Sequence, residues 1–89
     1  MLQPECEYST GCEKMEVQNK TTLWVNVFLE DTKTGISKYF SVAPKSRANI
    51  TMLPSYYKYV LTYCGDKVKS GTHGLNSHWY ILFKDNDCN

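Results

Sequence analysis

The chain has 89 residues, four cysteines and a formal net charge of +1. This length has room for one domain, whose small core usually needs added stability from disulfides, a metal or oligomerisation. The balanced charge lacks the clustered basic face that a phosphate backbone requires, and no stretch approaches the length of a membrane span. We therefore expect a single small domain that binds no nucleic acid and has no membrane span.

The cysteines predict the compartment. They are Cys6, Cys12, Cys64 and Cys88, with no Cys-x-x-Cys pair among them. His73 and His78 do not complete a zinc-finger spacing, so we expect no metal and no cofactor. An even number of cysteines in so short a chain predicts disulfides, which persist in oxidising compartments. We expect a secreted or cell-surface protein whose export signal, which is not recognisable in this chain, has been processed off or trimmed from the sequence.

Side chains alternate between apolar and polar along most of the chain, as in β-strands. Residues 1–14 carry proline, glycine and two cysteines and are predicted as an irregular, disulfide-containing lead-in. In chain order, strands are then predicted over residues 15–18, 22–30, 37–42, 47–53, 56–64, 68–72 and 79–84. Turn residues separate them, and Gly35 is suited to the positive φ of a tight hairpin. About seven short strands predict an all-β, antiparallel sandwich over residues 15–89.

Four cysteines allow three disulfide connectivities. If the last three strands run up, down and up, Cys64 and Cys88 lie beyond the same end of a sheet. That arrangement favours Cys64 with Cys88 and Cys6 with Cys12. The competing pairing, Cys12 with Cys64 and Cys6 with Cys88, would hold both termini against the sheet and stays open.

The sequence contains no persuasive catalytic arrangement. Glu30 and Asp31 are adjacent, so on a strand they point to opposite faces, and Asp85 and Asp87 lie in the tail. Neither pair suits the two-carboxylate chemistry of glycosidases. No Ser-His-Asp order, glycine-rich phosphate loop or EF-hand loop is present. We predict a protein that is not an enzyme.

Aromatic residues are the feature that points to binding. The chain has two tryptophans, seven tyrosines and three phenylalanines, and three of the predicted strands are apolar on both faces. In a two-layer sandwich only one face of each sheet is covered by the other sheet. The second face would be covered by the lead-in, a protein partner, a second copy or a ligand. The predicted binding residues are Trp24, Phe28, Tyr56, Trp79 and Tyr80.

Two Asn-x-Thr sequons begin at Asn19 and Asn49. Such sequons accept glycans on the surface of secreted eukaryotic proteins. We expect both asparagines to lie at exposed positions.

The runs VQNKTTLWVNVFLED and KYFSVAPKSRANITMLPSYYKYVLTYCG, followed by a late aromatic segment closing with Cys88, resemble secreted bacterial Ig-like or prealbumin-like sandwich domains. The resemblance covers residues 17–88. It implies an Ig-like sandwich and an extracellular module for adhesion, display or assembly, and it favours a Cys64–Cys88 bridge.

We therefore expect a non-enzymatic structural or adhesive interaction module, with self-assembly through aromatic outer-face patches as one form of this role. A carbohydrate-binding module that uses surface tryptophan and tyrosine is the first alternative. A secreted inhibitor of another protein is the second.

Overall fold

The computed structural model describes residues 11–88 and contains seven strands followed by a short 3-10 helix. The elements are β1 (Glu13–Asn19), β2 (Val25–Asp31), β3 (Ser37–Val42), β4 (Ser46–Met52), β5 (Ser55–Tyr63), β6 (Lys67–Leu75), β7 (Trp79–Phe83) and η1 (Asp85–Cys88). This confirms the all-β prediction, and β3 has its predicted bounds. Glu13 and Lys14, placed in the lead-in by the sequence, belong to β1. Residues 1–10 of that lead-in lie outside the described residues.

The strands form two sheets. The three-stranded sheet has the order β4-β1-β7, and the four-stranded sheet has the order β3-β2-β5-β6. β1 and β7 run parallel, whereas every other strand pair is antiparallel. The pairing of β1 with β7 brings together segments from opposite ends of the described chain.

The core lies between the sheets and follows from the alternation of side chains along each strand. Inward positions of β2, Val25, Val27 and Leu29, are fully buried, and inward positions of β5 include Tyr57 and Leu61. The remaining buried apolar side chains are Met15, Val17, Val42, Met52, Leu75, Trp79 and Phe83. Most of the core therefore consists of alternate residues from strands whose apolar faces are visible in the sequence.

β7 packs across the sandwich on β5. The rings of Tyr59 and Trp79 meet edge to face with centroids 5.7 Å apart, and those of Tyr63 and Phe83 lie 4.9 Å apart. Because β6 extends the four-stranded sheet one strand beyond β5, β6 lies past the edge of the three-stranded sheet. Within residues 11–88, no strand of the three-stranded sheet lies beyond β7 to cover β6, so this part of the chain leaves the sandwich open on the side where β6 and β7 lie.

Cys64 and Cys88 are joined by a disulfide with a Cα–Cα distance of 5.3 Å. This part of the predicted connectivity is confirmed, but the assumption of one sheet was wrong. Cys64 follows β5 and Cys88 follows β7, so the bridge links the ends of two different sheets. Cys12 is also disulfide-bonded. The predicted pairing of Cys12 with Cys6 depends on a residue outside those described.

Candidate binding surface

The outer face of the four-stranded sheet carries a row of apolar side chains across three strands. Phe28 of β2 lies opposite Tyr39 of β3 on one side and opposite Val60 of β5 on the other. Tyr39 is 63% exposed, Val60 is exposed and Phe28 is half-buried between them. Side chains directly opposite each other in a sheet lie close enough to form one surface. We call Tyr39, Phe28 and Val60 the aromatic row.

Polar rows flank the aromatic row. On one side Glu30 of β2 lies opposite Lys58 of β5, which places unlike charges next to each other. On the other side the Ser41 hydroxyl donates a 2.7 Å hydrogen bond to Oδ1 of Asn26. An apolar centre with a polar border is the usual composition of a protein-binding surface.

Tyr56 lies at one end of this face, opposite Gly74 of β6. A Cβ atom at position 74 would lie 2.8 Å from Cε1 of Tyr56, so the ring rests directly on the glycine backbone. The ring is nevertheless 62% exposed. The Tyr56 carbonyl accepts hydrogen bonds from both the backbone N–H and the hydroxyl of Thr32, which anchor it to the β2–β3 turn. Tyr56 therefore presents an aromatic surface from a fixed backbone.

Asp31 fixes the strand end beside Tyr56. Its Oδ1 accepts hydrogen bonds from the Ser55 hydroxyl at 2.7 Å and from the Lys33 amide at 2.9 Å. Burial works to raise the pKa of Asp31, but the hydrogen bonds from Ser55 and from the turn amides outweigh it and lower the pKa below its ordinary value. Burial and the charge of Asp31 together raise the pKa of Tyr57 to about 12. Asp31 is thus held as a carboxylate and secures the turn.

Two further exposed apolar side chains lie toward the opposite end. Trp24 immediately precedes β2 and is 58% exposed. Val68 of β6 lies opposite Thr62 of β5 and is also exposed. The apolar surface of the four-stranded sheet is therefore discontinuous at its ends and densest at the aromatic row.

The outer face of the three-stranded sheet is polar along β1 and β4. Arg47 of β4 forms a 3.3 Å ion pair with Glu16 of β1, and Asn49 lies opposite Glu16. Tyr80 of β7 is exposed on this face and donates a 2.7 Å hydrogen bond to Oε1 of Gln18. Tyr80 therefore lies on the opposite side of the sandwich from Phe28 and Tyr56, so these three predicted binding residues do not form one surface.

Trp79 lies in the core, which corrects its prediction as a surface binding residue. It is only 8% exposed and packs between Tyr59 and His73, whose ring stacks on the indole with centroids 4.0 Å apart. β7 is apolar on both faces, so alternation alone did not show that position 79 faces inward. Of the predicted binding residues, Trp24, Tyr56 and Tyr80 are exposed.

Asn19 is also buried, which corrects its prediction as an exposed glycosylation site. Its Nδ2 donates to the carbonyls of Leu23, Val42 and Ala43, and its Oδ1 accepts from the amide and hydroxyl of Thr21. A side chain with this many protein hydrogen bonds has no access for a glycan. Asn49 is exposed on β4, as expected of the other sequon.

Sequence reasoning missed Tyr39 as a surface residue. The signal was available, because a bulge at Gly35 pairs position 31 with position 36, and counting outward from that pair places position 39 opposite position 28. Val60 is likewise absent from the predicted binding residues. The alternation within one strand does not show which side chains lie opposite each other on neighbouring strands.

Comparison of the chain with protein-family models, with curated proteins and with solved structures finds no match. Within residues 11–88, no group of three or more histidine, cysteine, aspartate or glutamate side chains is placed to hold a metal ion. No helix in this part of the chain is long and apolar enough to cross a membrane.

Proposed function

We propose that the chain is a non-enzymatic extracellular interaction module that binds a protein partner through the outer face of its four-stranded sheet. The observation that carries this proposal is the aromatic row of Tyr39, Phe28 and Val60, in direct cross-strand register and open to solvent. Tyrosine and phenylalanine supply large contact areas with few rotatable bonds, which is why aromatic residues are enriched in protein interfaces.

The contrast between the two sheets supports this choice of surface. The three-stranded sheet covers its outer face with an ion pair and hydrogen-bonded polar side chains. The four-stranded sheet instead exposes apolar groups that would gain free energy on removal from water. The disulfides support the extracellular setting, because such bonds persist in oxidising compartments.

The test is a paired substitution in the aromatic row. We expect Tyr39→Ser with Val60→Thr to abolish partner binding or self-association while leaving the unfolding midpoint nearly unchanged, because both side chains are exposed. Sedimentation velocity of the native, non-reduced protein distinguishes a partner of different sequence from a second copy. Tyr80→Ser on the opposite face is the matched control and should retain binding. Loss of binding in Tyr80→Ser alone would contradict the choice of face.

A carbohydrate ligand is the second candidate, and the close contact of the Tyr56 ring with Gly74 favours it. A ring that is held against the backbone and still largely exposed is suited to stacking on a sugar. A hollow of about 200 Å³ beside it is lined by Lys33, Ser55 and Asn76, which can form hydrogen bonds with hydroxyl groups. Tyr56→Ala should remove retention on a glycan array if this candidate is correct, whereas Tyr39→Ser should not.

We also propose that the resemblance to secreted Ig-like or prealbumin-like sandwiches lies in the two-sheet architecture and not in the strand order. Immunoglobulin constant-type sandwiches place the first strand beside the second, whereas here β1 lies between β4 and β7. A crystal structure in which β1 pairs with β2 would contradict this proposal.

A further inference from the structure

β7 differs from the other edge strands of the described sandwich in its charge. β3, β4 and β6 each carry at least one lysine or arginine, namely Lys38, Arg47, Lys67 and Lys69. β7 has the sequence WYILF and carries none. Natural edge strands usually carry charges, prolines or bulges that prevent further pairing. β7 lacks charge and proline, as expected of a strand that receives another strand.

The backbone of β7 offers hydrogen-bonding groups toward the open side. The Phe83 carbonyl accepts from the amide of Lys20, so Phe83 directs its polar groups toward β1. Backbone groups alternate in direction along a strand, so Ile81 shares this orientation and Tyr80 and Leu82 point the other way. No described strand pairs with that edge. Among the described residues, the N–H and C=O groups of Tyr80 and Leu82 therefore have no strand partner and can pair with a further strand.

A groove lies beside this edge. It has a volume of about 360 Å³ and lies between β7 and the inner face of β6, where Lys69 and His73 point toward it. Tyr59, Leu61 and Ile81 supply its apolar wall. A second hollow of about 120 Å³ shares Leu61, Lys69 and Ile81 with the groove and extends it toward Phe83. The combined groove follows β7 along its length.

The positive charge of Lys69 indicates which peptide side chain the groove would accept. Lys69 lies opposite Leu61 on the inward side of β6 and is exposed, and its side chain forms no ion pair or hydrogen bond with another described residue. No acidic residue lines the larger hollow, and Asp87 lies at the far end of the smaller one. An incoming strand would therefore place an acidic side chain favourably opposite Lys69.

The overhang of β6 determines what kind of strand fits. Symmetric pairing of β7 with β7 of a second copy would bring the four-stranded sheets of both copies to the same side. In each copy β5 lies opposite β7, and β6 projects beyond it. In the symmetric pair, β6 of one copy would therefore collide with β5 of the other copy. A single extended segment, which brings no second sheet, meets no such obstruction.

We propose that the open edge of β7 is a strand-addition site for a short extended peptide segment of a partner protein, with apolar side chains and one acidic side chain alternating into the groove. Main-chain hydrogen bonds to Tyr80 and Leu82 supply affinity, and Lys69 supplies selectivity. This site is distinct from the aromatic row, so either can fail without the other.

The probe is the synthetic peptide acetyl-Thr-Val-Thr-Glu-Thr-Val-Thr-amide, titrated into isotope-labelled native protein with amide exchange followed by NMR. We expect the amides of Tyr80 and Leu82 to exchange at least about tenfold more slowly in the bound state, since they gain hydrogen bonds. The amides of Ile81 and Phe83 are already directed toward β1 and should change little. Unchanged exchange at Tyr80 and Leu82, or perturbations confined to Tyr39, Phe28 and Val60, would overturn the proposal.

Two variants test the roles separately. Leu82→Pro removes an edge N–H that β1 does not use and should abolish peptide binding, whereas Leu82→Ala retains that N–H and should bind. Lys69→Glu changes an exposed side chain and should weaken binding of the peptide about tenfold. It should also strengthen binding of the same peptide with lysine in place of glutamate. Equal binding of both peptides by both proteins would refute the acidic preference, even if Leu82→Pro behaves as expected.

Discussion

Asn19 connects three separate segments of the chain through one buried amide. Its Nδ2 bonds reach the carbonyls of Leu23, before β2, and of Val42 and Ala43, where the chain leaves β3. Thr21 completes the arrangement by donating its amide and hydroxyl to Oδ1. A buried polar group stabilises a fold only while its partners are present, because an unpaired buried carbonyl or amide costs its full desolvation.

Asn19→Ala is therefore expected to destabilise the protein by about 3 kcal/mol, since it removes the hydrogen bonds to the Val42 and Ala43 carbonyls and from the Thr21 amide in a largely buried site. Urea unfolding followed by tryptophan fluorescence measures this change in the free energy of unfolding. Asn49→Ala, an exposed asparagine in the same sheet, is the matched control and should change it by less than about 0.5 kcal/mol. Equal effects of the two substitutions would contradict the structural role of Asn19.

Asp31 makes stability depend on pH in the acid range. Its folded-state pKa is lowered, so the unfolded state binds the proton more readily and folding is favoured while the carboxyl is charged. This contribution is complete above the ordinary value of 3.8 and is lost as the pH falls through the lower folded-state pKa. We expect Asp31→Asn to show a smaller loss of stability than the native protein between pH 5 and pH 2. Asp66→Asn, in the exposed β5–β6 turn, is the control and should retain the native profile.

At the scale of elements, the β2–β3 hairpin shows how local sequence specifies a turn. Gly35 has φ +75°, and its amide donates a 2.8 Å hydrogen bond to the Asp31 carbonyl. Nothing lies near the position of a Cβ atom at residue 35, so the requirement for glycine there comes from the backbone conformation and not from space. At Gly71 the reason is the opposite, because a Cβ atom would lie 2.8 Å from the Tyr59 hydroxyl.

We expect Gly35→Ala to cost about 1 kcal/mol, because a residue with a Cβ atom is strained at positive φ. Gly35→Asn should cost less, since asparagine tolerates this conformation better. Thermal or urea unfolding of the three proteins provides the comparison. A neutral Gly35→Ala substitution would show that the turn relaxes to a different conformation.

Strand positions and the faces of β2, β4 and β5 could be predicted from the sequence because apolar side chains recur at every second residue. The sheet to which each strand belongs could not be predicted. The alternating side chains of β7 would suit pairing with β6 as well as the observed pairing with β1. The burial of Trp79 was missed for the same reason, because both faces of β7 are apolar. The burial of Asn19 could not be predicted either. Two of its hydrogen-bond partners are the backbone carbonyls of Val42 and Ala43, which are distant in sequence and which no local pattern identifies.

At the scale of the whole molecule, the Cys64–Cys88 bridge joins the two sheets at one end of the sandwich. It closes a loop with a sequence separation of 24, which restricts the unfolded chain. The same end lacks regular pairing between β5 and β7, since they belong to different sheets. The bridge therefore supplements packing where hydrogen bonds cannot connect the layers.

Replacing both cysteines, Cys64→Ser with Cys88→Ser, is expected to lower the free energy of unfolding by about 3 kcal/mol. Urea unfolding in the absence of reductant measures this loss. Circular dichroism should show that the strands persist, because the core is unchanged. A double variant as stable as the native protein would mean that the bridge contributes no more than the side chains that replace it.

The position of β1 has a consequence for synthesis on the ribosome. Residues 25–75 contain all four strands of one sheet, which can pair as soon as β6 emerges. The central strand of the other sheet is made first, yet it acquires its second neighbour only after Trp79–Phe83 leave the exit tunnel. Until then Met15 and Val17 lack part of their cover, so the nascent chain carries an unfinished apolar surface until β7 emerges and pairs with β1.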